Sequence, residues 1–203
     1  MITHLAALVL GALGWTLAEY LLHRFDGHGM KGRTPFSREH LAHHTDPASF
    51  APWSLKLALA LVVLGLLSAV LVPLLGLTGL SATVGFTGGW LGYEWVHRRL
   101  HTHAAATAYG RWARRHHFQH HFNDASANHG VTSPVWDWLF GTLAPAAIVR
   151  VPRRHAPVWL VADGELLPRH ADDYALRGRS RSRGQANGAL RHKVEAGSTS
   201  AAG

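Results

Sequence analysis

The chain of 203 residues contains no cysteine. That excludes a disulfide framework, a cysteine-ligated zinc site and an iron–sulfur cluster, and it removes any clue to redox compartment. Charge is also scarce, at 16% of residues, and it is unevenly spread. Residues 1–22 and 51–96 are almost uncharged, while the remainder carries nearly all the Lys, Arg, Asp and Glu. The mean hydropathy of zero therefore averages two unlike halves, and the local pattern is that of a membrane protein. Much of the net charge of +8 lies in the tail, where Arg177, Arg179, Arg181, Arg183, Arg191 and Lys193 face only Glu195. This Gly-, Ser- and Arg-rich segment, 176–203, has little to bury and is expected to be disordered. The high isoelectric point thus gives no argument for nucleic-acid binding by the folded part.

The apolar stretch Ile2–Leu22 is long enough to cross a hydrocarbon core of about 30 Å as a helix. It has no Lys or Arg ahead of it and no small-residue cleavage site behind it, which disfavours a signal peptide. Leu57–Tyr93 carries no charge, and as one helix it would reach about 55 Å, far more than a bilayer needs. With Pro73, Gly76 and Gly79 in its middle, it reads as a hairpin of two spans, at about 55–75 and 79–97. Gly85, Gly88, Gly89 and Gly92 would let the second of these approach its neighbours closely. The expectation is an all-α integral membrane protein with three spans, or four, and a histidine-rich helical cap. The basic segments, 23–56 and the part after residue 97, then lie on the cytoplasmic side. The N-terminus and the 73–81 turn lie outside.

Histidine is the abundant residue, with 17 in the chain. Four boxes stand out: His23 and His28 (HX4H), His40, His43 and His44 (HX2HH), His97 and His101 (HX3H), and His117, His120 and His121 (HX2HH). Residues i, i+3 and i+4 share a helical face, so each of the last three boxes is expected to aim its rings at one point. Positions i and i+5 do not, so Gly27 and Gly29 are expected to break the first helix and turn His28 inward. Ten imidazoles exceed the needs of one ion and suggest two, of a kind that imidazole suits: zinc, copper, iron or nickel. Glu19 and Glu94 precede His23 and His97 on the same face and are expected to accept the far ring N–H. His129, Asp137, Asp26, Asp46 and Asp124 are further candidates for supporting contacts. His4, His155, His170 and His192 read as surface residues, and His103 and His116 as bystanders. Paired Glu-x-x-His motifs are missing, which disfavours a ferritin-type carboxylate centre.

The four boxes, followed by Asn128-His129-Gly130 and by Trp136-Asp137-Trp138-Leu139-Phe140-Gly141-Thr142, resemble the fatty acid hydroxylase/sterol desaturase superfamily over about residues 10–145. The resemblance implies a membrane domain at 1–148, followed by a cytoplasmic extension at 149–175. It implies a multi-pass enzyme whose ten box histidines hold two metal ions, iron by expectation, on the cytosolic side. Such an enzyme uses O2 to hydroxylate or desaturate a lipid chain. No cytochrome b5 segment is recognisable, so a separate donor is expected, cytochrome b5- or ferredoxin-like with its reductase. The small carotenoid hydroxylases are the related alternative. Their third box tends to be HX4H and they lack the Trp-Asp-x-x-Phe-Gly-Thr stretch. A membrane metal transporter is the alternative from another class; it would place its ligands near mid-span, where this chain has no box histidine.

Overall fold

The computed structural model describes residues 1–178. Helix α1 (Ile2–Leu21) continues without a break into a π-helical turn, Leu22–His28. Helix α2 (Pro35–Thr45) starts where the Thr34 hydroxyl accepts the Ser37 N–H and Pro35 takes the first helical position. Helices α3 (Trp53–Leu75) and α4 (Leu77–Thr102) form the hairpin. Its turn is tighter than the sequence suggests: Pro73 stays inside α3, and Gly76 alone reverses the chain at φ 58°, a backbone region open to glycine. Helix α5 (Ala108–Phe122) is capped by Thr107, and a short α6 (Val135–Leu139) follows.

The α1–α4 contact determines the shape of the bundle. His4 Nδ1 meets Ser81 Oγ, Gly85 meets the Leu8 backbone and Gly89 meets Ala12 and Trp15. The steps advance together on both helices, so α1 and α4 run parallel, in contact along a Gly-x-x-x-Gly seam. Gly88 and Gly92, expected to serve the same purpose, face open space. Replacing Gly85 with Ala would drive a methyl group into the Leu8 carbonyl, in a helix backbone that cannot yield locally. We expect Gly85→Ala to cost about 1–3 kcal/mol. Thermal unfolding in detergent would show it as a lowered Tm, with Gly88→Ala neutral or slightly stabilising.

Two helical stretches are long and apolar enough to cross a bilayer, Ile2–His28 and Trp53–Leu75. In α3 only Lys56 and Ala60 are buried, and Leu61, Leu66, Val70 and Leu74 lie exposed, as a lipid-facing helix requires. The third expected span coincides with α4. That helix has 26 residues but is diluted by glycine, threonine and histidine, and does not reach the same apolarity.

The all-α expectation needs one correction. Beyond α6 the chain forms two small sheets: β1 (Val149–Pro152) pairs in parallel with β4 (Tyr174–Arg177), and β2 (Val161–Ala162) pairs antiparallel with β3 (Glu165–Leu166). Val149, Val151, Trp159, Leu160 and Tyr174 bury themselves against Phe118 and Phe122 of α5. The 149–177 extension is therefore part of the folded cap, and Leu176 and Arg177, assigned above to the tail, belong to β4. The rest of that tail, with His192, lies outside the described residues.

Candidate metal centre

The ten box histidines gather into two groups of five. His23, His28, His40, His44 and His120 form one, and His43, His97, His101, His117 and His121 the other; within each, one nitrogen per ring lies within 4.8 Å of all the others. Helical geometry explains the division. At about 100° per residue, position i+4 falls some 40° to one side of i and i+3 about 60° to the other. In α2, His40 and His44 go together and His43 crosses to the second group. In α5, His117 and His121 go together and His120 crosses to the first. Each HX2HH box thus serves both groups, rather than the single point expected of it. His97 and His101, an i, i+4 pair, stay together.

The first box reaches its partners by a different device. A π-helix bonds i to i+5 and carries more residues per turn, so His23 and His28 project from one face of a continuous helix. The glycine break expected at Gly27 is absent. Gly27 is instead a point of close approach, where a Cβ would press on the His40 ring. Ser37 secures the same spot by donating its hydroxyl to the Gly27 carbonyl at 2.8 Å.

Backbone carbonyls orient the rings. His23 Nδ1–H donates to the His129 carbonyl, His43 Nδ1–H to Ser49 at 2.9 Å and His120 Nδ1–H to Ala127 at 2.6 Å. A carbonyl can only accept, so each ring is fixed in the tautomer whose Nε2 lone pair points into its group. The carboxylates act otherwise than expected. Glu19 leaves His23 alone and receives the N–H groups of Val131 and Thr132 and the Thr132 hydroxyl. Glu94 leaves His97 alone and accepts from Lys56 at 2.9 Å and Trp90 at 3.2 Å. Asp26, in the π-turn, accepts from the α2 cap Thr34, and Asp46 and Asp124 accept from Ala48 and Ser126 two residues on.

Asp137 is fully buried. It accepts the N–H groups of His129 and Gly130, both at 2.8 Å, the Thr142 hydroxyl at 2.8 Å and His116 Nε2 at 3.3 Å. Burial alone would raise its pKa, but these hydrogen bonds hold the carboxyl below the usual range. His116, read as a bystander, is a buried part of this network. The His129 ring sits 5.3 Å from that of His120 and its Nδ1 is buried without a partner, yet it lies outside both groups. Of the histidines read as surface residues, His155 stacks on Phe122 and the His170 ring bonds the Trp159 carbonyl.

The two groups suit a metal ion each. His23 Nε2, His97 Nε2 and both ring nitrogens of His121 are buried with no hydrogen-bond partner. Other ring nitrogens face one another at hydrogen-bond distance, as in His28–His120 at 3.0 Å and His101–His117 at 2.9 Å. Lone pairs converging from five neutral rings call for a cation. Burial followed by mutual repulsion pushes His117, His120 and His121 well below the ordinary imidazole value. Burial likewise lowers His44 to about 2 and His43 to about 4, favouring the neutral, ligating form.

A cavity of about 460 Å³ opens between α1, α2, α3 and α4. Its walls are apolar, from Trp15, Leu22, Phe36, Leu59, Val63 and Phe86 among others, and His23 closes one end. At the same end Lys56 bridges Glu39 at 3.0 Å and Glu94 at 2.9 Å. Sequence reasoning did not single out this trio, because no spacing rule links residues 39, 56 and 94.

A bundle with two long apolar helices, two all-histidine groups at its end that could each hold a metal ion, and an apolar cavity running up to the first of them has the frame of a membrane-associated metalloprotein. The chain belongs to the fatty acid hydroxylase family, whose family model matches residues 8–142. It is 32% identical over 149 residues to the ceramide very long chain fatty acid hydroxylase scs7 of Schizosaccharomyces pombe, covering 68% of this chain and 42% of that one. It is also 32% identical over 142 residues to the dihydroceramide fatty acyl 2-hydroxylase FAH2 of Arabidopsis thaliana, covering 66% and 58%. Among solved structures, the hydroxylase domain visible in full-length scs7p superimposes with a TM-score of 0.57 at 28% identity, over 71% of this chain and 59% of that one. The chain thus spans about two fifths to three fifths of the length of these curated relatives.

Proposed function

We propose that this chain is a membrane oxidoreductase that hydroxylates the acyl chain of a lipid, with two histidine-bound metal ions, iron by chemistry, at its centre. The observation that carries this reading is the apolar cavity ending at His23, which has room for a hydrocarbon chain beside the first group of rings. When bound, the metal ions would supply O2 activation for attack on an unactivated C–H bond. His23, His28, His40, His44 and His120 would hold one ion, and His43, His97, His101, His117 and His121 the other. The chain's own residues do the rest. Leu59, Val63 and Phe86 orient the hydrocarbon and exclude water; Lys56, Glu39 and Glu94 offer donors and acceptors to the polar head. The names of the relatives favour an acyl chain in a ceramide-like amide.

Electrons would come from a separate donor of the cytochrome b5 or ferredoxin type with its reductase. Three spans, with the N-terminus outside and the histidines and C-terminus cytoplasmic, agree with the distribution of Lys and Arg. The test is lipid mass spectrometry of cells expressing the chain or its His44→Ala variant, grown under isotopically labelled O2. The expected product carries one added, labelled oxygen atom and is missing with the variant. Loss of two hydrogens would point to desaturation instead, and unchanged lipids with a fully metallated protein would overturn the reading.

A further inference from the structure

We propose that α6 and its flank, residues 135–143, form a wedge bedded in the lipid at the histidine end of α1. The outward face lies in the bilayer and the inward face holds the loop that orients His23. This rests on α1 as a membrane span and is independent of the hydroxylase chemistry.

The segment exposes four large apolar side chains in a row of six residues: Val135 at 52%, Trp138 at 72%, Leu139 at 57% and Phe140 at 46%. Its single charged residue, Asp137, points inward at 0% exposure. A water-facing surface rarely presents so compact an apolar patch. Its place on the bundle says what covers it. Trp136 Nε1–H donates to Thr16 Oγ1 at 2.9 Å, and the Phe140 ring stacks on Tyr20 with centroids 5.2 Å apart. Both partners lie within the apolar helix, and Thr16 sits about 8 Å before its end. The patch therefore lies against the apolar helix, which exposes Leu13 and Leu21, with Phe25 exposed in the π-turn that follows, so the lipid that surrounds α1 covers the patch too.

The backbone suits that environment, since the Trp138 N–H bonds Pro134 and the Phe140 N–H bonds Trp136, both at 2.9 Å. Tryptophan favours the membrane–water boundary. Arg24 marks the headgroup level, with its guanidinium over Phe25 and donating to the Tyr20 hydroxyl at 2.7 Å.

The chain has no cysteine, so a nitroxide can be attached at one chosen position of the whole protein. Labels at 138 and 139 are compared, in phosphatidylcholine liposomes, with labels at 66 on α3 and 111 on α5. Collisional relaxation by O2, which partitions into lipid, is measured against relaxation by a water-soluble nickel chelate. We expect positions 138 and 139 to follow position 66, with an O2-to-nickel ratio severalfold above that at 111. A label at Val135 repeats the test should Trp138→Cys disturb folding. If 138, 139 and 135 follow 111, or show spin–spin coupling between chains, the wedge is overturned in favour of water or a second copy. If 66 also follows 111, the membrane reading of the helices fails, and the wedge with it.

Discussion

Replacing His44 or His121 with Ala should each remove one metal ion per chain and abolish turnover. The two rings stack at 4.0 Å with 6° between their planes, one in each histidine group, so they form the wall where the groups meet. Removing either leaves four rings on its own side and an open space beside the neighbouring group. Metal content after purification, by mass spectrometry, should fall from two ions to one in each single variant and below one in the double variant. Product formation with excess chemical reductant should fall at least a hundredfold, as expected when a catalytic metal is lost. His155→Ala, whose ring stacks on Phe122 away from both groups, should keep both ions and full turnover. Two ions and full turnover in both box variants would overturn the two-group assignment. Intact metal with lost turnover would move those rings from ligation to orienting their neighbours.

The histidine spacings made the gathering of the rings legible, because i, i+4 pairs on a helix leave little choice of direction. They did not reveal the division of each HX2HH box, which requires knowing that groups wait on both sides of the helix. The π-turn at 22–28 was equally hidden. Apolar and polar periodicity over seven residues cannot distinguish i→i+4 from i→i+5 bonding, and a glycine pair is the more familiar sign of a break. The contacts that fix the ring tautomers come from the carbonyls of Ser49, Ala127 and His129. Every residue has a carbonyl, so no sequence signal marks these three, and Glu19 and Glu94 drew attention only because carboxylates stand out. The hairpin was legible from the length of the uncharged run and from Pro73, Gly76 and Gly79 in its middle. The strands of 149–177 were not, since β2 and β3 have two residues each and the core they close is completed only against Phe118 and Phe122 of the distant α5.

Asp137→Ala should destabilise the cap and loosen the first histidine group while sparing the second. The carboxylate takes four hydrogen bonds in a site without solvent, and its removal strands the N–H groups of His129 and Gly130. A hydrogen bond to a charged group contributes about 1.5–3 kcal/mol net, and each buried donor left unpaired costs about 1–3 kcal/mol. A loss on the order of 3–5 kcal/mol follows, which for a chain of this size lowers Tm by roughly 6–20 °C. The effect reaches the metal centre through one residue. His129, whose N–H bonds Asp137, offers its carbonyl to His23 Nδ1, so a displaced loop frees the His23 ring to rotate away from its group. Losing such a supporting contact typically weakens metal binding about 10–100-fold. Titration with a competing chelator should therefore strip one ion from Asp137→Ala well before the other, whereas the wild type should release both together. The pH dependence has a definite sign. Because the folded pKa is depressed, the stabilisation is fully present above the ordinary carboxylate value of about 3.9 and is lost as pH falls through the lower folded value. Between pH 5 and 8 the gap in Tm between wild type and variant should stay constant. A gap that closed on moving from pH 8 to pH 6 would show that another group carries the effect.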